Sequence, residues 1–237
     1  MYTPSRPEID HRTMKLIVGV VALTLAPLTS LFTRLSGHLP LASISDSYWQ
    51  GGTPQSVFIG FLFAIASFLV AYNGRSKGEM ALSKVASAAA LGVALFPCGC
   101  EGHPQIIPGV HYIAATVMFL VLADFCRRFY RRAIAKGYTR AKSRAAVYAA
   151  CGVFILLSIG VLGFVAVSDK FFGTSLDQRF PTLTFYGEAA ALTAFGVSWL
   201  MASHVLPWFN RADERFSPLR RENPEDRPAV ASQTAST

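Results

Sequence analysis

Three observations predict an all-α fold: a polytopic membrane protein built as a bundle of six transmembrane helices with both termini cytoplasmic. Of 237 residues, 52% are hydrophobic and only 15% are charged, a balance too apolar for a soluble domain of this length. Apolar runs of roughly twenty residues recur along the chain, each long enough to cross about 30 Å of hydrocarbon. The basic residues behind a formal net charge of +8 stand beside alternate runs, as topology determinants and headgroup contacts do. No glycine-rich phosphate loop of the GxGxxG or Walker type occurs, so the charge speaks for membrane lipids as partners and against nucleic acid.

The elements follow in order. A polar cytoplasmic segment, residues 1–13, leads into a first span at about 15–33. Its apolar core is longer than that of a secretory signal. The only plausible cleavage point, after Ala26, is followed by Pro27, so the span reads as uncleaved, with Pro27 a candidate kink. A loop carrying Ser43-Ile44-Ser45-Asp46-Ser47-Tyr48-Trp49 precedes the second span, about 56–73; Tyr48 and Trp49 are amphipathic aromatics suited to the headgroup layer. The third, about 81–97, is short enough to be re-entrant instead, and spaces Ala88 and Gly92 for close helix packing. The fourth, about 110–126, ends in a dense block of arginines. The fifth, about 145–167, sets Gly152, Gly160 and Gly163 on one face; the sixth, about 185–206, repeats Gly187, Ala191, Ala194, Ser198 and Ala202 at helical spacing. The transmembrane domain thus covers 14–208, and the charged, proline-containing remainder, 209–237, reads as a disordered cytoplasmic tail.

Charge decides the count. The N-terminus, the loop from Gly74 to Lys84, the loop from Arg127 to Arg144 and the tail are basic, whereas the alternating loops carry few Lys or Arg. Six crossings put every basic segment inside, while five would export the most basic loop, against the positive-inside bias. A multi-pass protein of the plasma (inner) membrane is expected.

That topology gathers candidate chemistry on the outer face. Ser45, Asp46, Tyr48, His111 and Glu188 form the expected lipid-headgroup or partner-binding set, since ionisable groups at span ends are site candidates by default. His111 opens the fourth helix, where it serves an interfacial hydrogen bond or a catalytic role. Glu188 sits in the first turns of the sixth, favoured there by the helix dipole, and a His111 and Glu188 pair could hold a metal or orient a general base. The elbow Cys98-Gly99-Cys100-Glu101-Gly102-His103 has three readings: small packing residues in a turn, a strained disulfide, or a soft-metal clip of Cys98, Cys100, His103 and His111 for zinc or copper. Asp124 stands three and four residues before Arg127 and Arg128, the spacing of a local ion pair. His38 and His204 read as interfacial, Cys126 and Cys151 as packing residues.

The phrase Leu39-Pro40-Leu41-Ala42-Ser43-Ile44-Ser45-Asp46, followed by Thr53-Pro54-Gln55-Ser56 and an aromatic-rich helix, resembles the six-span family of damage-regulated autophagy modulators and Sfk-type membrane proteins with their uncharacterised bacterial relatives. The resemblance implies an Ile-Ser-Asp phrase in the first outer loop, cytosolic termini and a lipid-facing role. Ser47 and the cysteine elbow depart from the family pattern. The leading functional expectation is a non-enzymatic or accessory membrane protein whose outer polar cluster binds lipid headgroups, a protein partner or a second copy. The alternative is a metal-dependent lipid hydrolase similar to the ceramidase and adiponectin-receptor superfamily. There Ser45, Asp46, His103 and His111 would surround a zinc that generates hydroxide. That superfamily's seven spans and H-x-x-x-H pair are not found in this sequence. A small-solute transporter is the third class, and it would call for charges deep in the spans or broken helices.

Overall fold

A computed structural model describes residues 10–217. Among the described residues the chain is helical throughout: α1 (His11–Leu35), α2 (Gly52–Ala71), α3 (Lys77–Leu95), α4 (Val110–Ala135), α5 (Thr139–Phe172), a single turn α6 (Leu176–Arg179) and α7 (Leu183–Ala202). The helices overrun the apolar stretches because a helix need not stop where the hydrocarbon does. At 1.5 Å per residue, the 34 residues of α5 reach about 51 Å, and α4 continues through the arginine block. Pro27 stands inside α1, which runs on past it.

Each long helix packs on the next, α1 on α2, α2 on α3, α3 on α4, α4 on α5, α5 on α7, and α7 closes the ring on α1. Consecutive helices are thus neighbours around the bundle, joined by short connections between α2 and α3 and between α4 and α5, and by the longer loops 36–51 and 96–109. Five helices, α1–α5, are long and apolar enough to cross a membrane. The sixth expected span corresponds to α7, which is not among those five. Its apolarity is diluted by Glu188 and by small and hydroxyl residues, and most of them look inward: Ala191, Ala194, Gly196, Ser198 and Ala202 are all buried. Wedged between α1 and α5, and touching α4 across the ring, α7 needs little lipid-facing surface.

The tightest seam is α1 against α7. A Cβ on Gly196 would come within 2.8 Å of the Gly19 carbonyl oxygen, and one on Gly19 within 3.0 Å of that of Gly196, so only glycine permits this backbone approach. Gly92 is similarly close to Ala114 at 2.9 Å, whereas Gly160 and Gly163, expected in a seam, have nothing within 4 Å. That half of α5 faces outward, with Phe154, Leu157, Val161 and Phe164 exposed. α2 and α3 are stitched by hydroxyls: Ser87 Oγ donates to the Ala66 carbonyl at 2.7 Å, and Ser83 Oγ to that of Leu69. Tyr72, Phe125, Phe129, Phe195 and Trp199 pack edge-to-face and tilted around the axis near the basic end.

The contacts sort the loops into two ends. At the basic end, Ser76 caps α3 by accepting from the Glu79 N–H, and Glu79 reaches back to the Arg75 N–H at 2.6 Å and across to Arg132. This is a capping-box arrangement whose acid also serves an ion pair. Asp124 pairs with Arg127 and Arg128 as its spacing predicts. The residues after α7, expected to be disordered from 209 on, are held as far as Phe216, whose N–H donates to the His204 carbonyl at 3.1 Å. Glu214 accepts from Arg144 at 2.9 Å and from Lys136 and Tyr138, and fully buried Asn210 bonds Arg144 and, at 2.7 Å, His204. The physical reason is that Arg144, 2% exposed, needs this segment to satisfy a guanidinium shut away from water. The remainder of the tail, 218–237, and most of the N-terminal segment lie outside the described residues.

Candidate functional site

At the end opposite the arginines, the α1–α2 loop folds inward over the mouth of the bundle. Its serines make it a self-capped turn: Ser43 Oγ accepts from the Asp46 N–H at 3.0 Å, and Ser47 Oγ donates to the Ile44 carbonyl at 2.6 Å. Ser45–Tyr48 is a short 3-10 turn. Ser43, Ser45, Asp46 and Ser47 are all buried, at 5%, 5%, 1% and 0% exposure. Burial on that scale requires partners from the helices.

Two helices supply them. Glu188, in the second turn of α7, accepts the Ile44 backbone N–H on Oε2 at 2.6 Å. His111, in the first turn of α4 and 3% exposed, places Nδ1 2.7 Å from the Phe96 carbonyl oxygen and Nε2 3.0 Å from Ser45 Oγ. A carbonyl only accepts, so Nδ1 carries the proton, and in the neutral ring Nε2 takes the hydroxyl hydrogen of Ser45. Phe96 is the C-cap of α3, and its carbonyl is among those a helix end leaves without an intrahelical donor. His111 and Glu188 do not bond each other; they grip adjacent residues of one loop. The Phe185 N–H to the Ala42 carbonyl at 2.9 Å adds a further tie.

The elbow closes the rim. Cys98 and Cys100 are joined in a disulfide, and Ser43 Oγ lies 3.6 Å from Cys100 Sγ. His103 stacks on Trp49 with ring centroids 4.3 Å apart, and the Trp49 indole donates to the Cys98 carbonyl at 2.9 Å. The four candidate metal donors are therefore engaged elsewhere: the cysteines with each other, His103 on an indole, His111 on Ser45 and Phe96. Among the described residues no three of His, Cys, Asp or Glu converge as a metal-holding group; the Glu101 side chain lies outside the described part. Tyr48 packs edge-on against Trp49 at 5.2 Å, in the rim rather than in the hub.

Beneath the hub lies a cavity of about 30 Å³, lined by Ser45 and Glu188 above and by Leu25, Phe58, Leu62, Met118 and Leu192 below. It has room for two or so water-sized groups. Polar groups thus share the wall of this small cavity with apolar side chains of the bundle. Sequence reading reached Ser45, Asp46, His111 and Glu188; it missed Ser43, the Ile44 N–H and the Phe96 carbonyl. Of these only Phe96 had a signal, since the following Pro97 marks where α3 must end.

No family model, curated protein or solved structure matches this chain.

Proposed function

We propose that the chain is a six-span membrane protein of the plasma (inner) membrane, both termini cytoplasmic, that binds lipid without catalysis through its outer hub. Support for the sixth crossing comes from α7, which at 20 residues completes the ring between α1 and α5 and has one end among the basic loops and the other under the hub. The positive-inside bias then sets the orientation. The observation that carries the lipid reading is the placing of Ser45 and Glu188 in the wall of an otherwise apolar cavity, with His111 bonded to Ser45. That is the pairing of surfaces an amphiphile presents, a polar head on a hydrocarbon stem. The cavity admits no acyl chain, so binding requires the 36–51 loop to lift against its few bonds to Glu188, His111, Phe185 and the Cys98 carbonyl. The likeness to the autophagy-modulator and Sfk-type family points the same way. Native mass spectrometry of the detergent-purified chain tests it. The expected result is retained phospholipid that is lost in Glu188→Gln and Ser45→Ala; wild type free of lipid, or variants that retain it equally, would sink the reading.

A second reading rests on one distance. Ser45 Oγ at 3.0 Å from a ring nitrogen whose opposite N–H is fixed by Phe96 is the ground arrangement of a nucleophile and its general base. A serine-type lipid acyl hydrolase would use it, and the hydrolytic alternative is better supported in this form than with zinc. A fluorophosphonate probe should then label Ser45 in wild type and not in His111→Gln. Absence of labelling in lipid nanodiscs leaves the binding reading alone.

A further inference from the structure

At the basic end, α1, α4, α5 and the chain before α3 surround a half-open cavity of about 40 Å³ whose wall carries Lys15, Arg75, Arg132, Lys136 and Arg144. Two carboxylates answer these five cations: Glu79 pairs with Arg132, and Glu214 with Lys136 and Arg144. Lys15 is 7% exposed and makes neither a hydrogen bond nor an ion pair among the described residues. Its ammonium lies 5.5 Å from the ring centroids of both Tyr72 and Phe129, and the carboxylates of Glu79 and Asp10 attract it without pairing with it. Cation–π contacts offset only part of the cost of taking an ammonium out of water. Among the described residues two of the five cations, Lys15 and Arg75, have no carboxylate in ion-pair contact.

We infer that this cavity is a binding site for a phosphate-class oxyanion, held by Lys15 and Arg75 with Arg132 and Arg144 behind them. The shape favours phosphate over carboxylate. The cations come from three helices and a loop, so they converge from divergent directions onto a tetrahedral group, and the volume takes about three water-sized atoms, the number of free oxygens on a phosphate monoester. Arginine and lysine are the side chains that recognise such groups. The site belongs to different residues from the outer hub, so its failure would leave that proposal standing. Two sources present the same chemistry: the monoester headgroup of a lipid in the adjacent leaflet, and free inorganic phosphate.

The full chain reconstituted in phosphatidylcholine nanodiscs separates them. Inorganic phosphate added to the solution should raise the melting temperature if the free ion is the ligand; discs doped with dioleoyl phosphatidic acid should do so, with phosphate inert, if the headgroup is. In either case Lys15→Met should abolish the shift, and Arg75→Gln should weaken the dissociation constant on the order of tenfold. Arg75 is exposed, so its variant decides the question if Lys15→Met folds poorly. Protection by neither probe, equal protection of wild type and both variants, or the same protection from acetate as from phosphate would overturn the assignment.

Discussion

Glu79 is 1% exposed and serves two donors on different elements, the Arg75 backbone N–H and the Arg132 guanidinium. Replacing it by alanine strands both, and Glu79→Ala should cost about 3 kcal/mol, read by denaturant or thermal unfolding in detergent. Glu79→Gln keeps a hydrogen-bond acceptor and should cost less; equal losses would mean that the charge is irrelevant. At the other end, Ser45→Ala removes only the hydroxyl from Nε2 of His111 and should cost about 1 kcal/mol, too little to disturb the fold. How far these residues could be read from sequence depends on whether side chains or backbone do the work. Ser45, Asp46, His111 and Glu188 announce themselves as polar groups at span ends. The Ile44 N–H and the Phe96 carbonyl belong to apolar residues, and nothing in a side-chain alphabet records which backbone group a helix end leaves free.

The α1–α7 seam makes a sharp prediction at the level of elements. Gly196→Ala brings a methyl to 2.8 Å from the Gly19 carbonyl oxygen and 2.6 Å from Leu23, an overpacking expected to cost about 1 to 3 kcal/mol. Gly160→Ala, with open space at its Cβ, should melt as wild type does. The small-residue stripe of α7 was legible because small residues recur at helical spacing. Its partner on α1 was not, since Gly19 and Ala22 sit in a uniformly apolar run where any face could be buried. Likewise the fifth span's three glycines suggested one seam, but only Gly152 packs on α4, against Cys126, while Gly160 and Gly163 meet open space, because spacing marks a face without saying what covers it. The segment after α7 carries a pH dependence. Burial, assisted by the positive charges of Arg144, Lys136 and Arg12, holds His204 down at about 4 against an ordinary 6.5. Burial opposes the Glu214 carboxylate, but hydrogen bonds from Lys136, Tyr138 and Arg144 outweigh it and hold the group well below the usual range. In the unfolded chain both groups take up protons first, so stability is full above pH 6.5, falls from there towards pH 4 through His204, and falls further below about pH 4.5 through Glu214. Amide protection across 203–217, taken relative to the intrinsic exchange rate at each pH, should fall between about pH 7 and 5, less so in His204→Gln.

For the molecule as a whole, composition and charge alternation were enough to read a helical membrane bundle, while the closure of the ring was not in the sequence because it depends on which faces meet. The proposed six crossings make a definite statement about reporters. A fusion after Thr237 should be active only as a cytoplasmic reporter, and one inserted at Thr174 only as an external one; the opposite pair of results would invert the molecule and move the hub inside. The meeting of Gly19 with Gly196 also bears on how the protein is made. Helices leave the ribosome in order, so α1 is made first and its glycine notch stays uncovered until α7 follows. Only when the last helix arrives does the notch fill, and with it the ring shuts. A chain that stalls before residue 183 would expose that unfilled groove, giving membrane quality control a mark by which to tell an unfinished copy from a finished one.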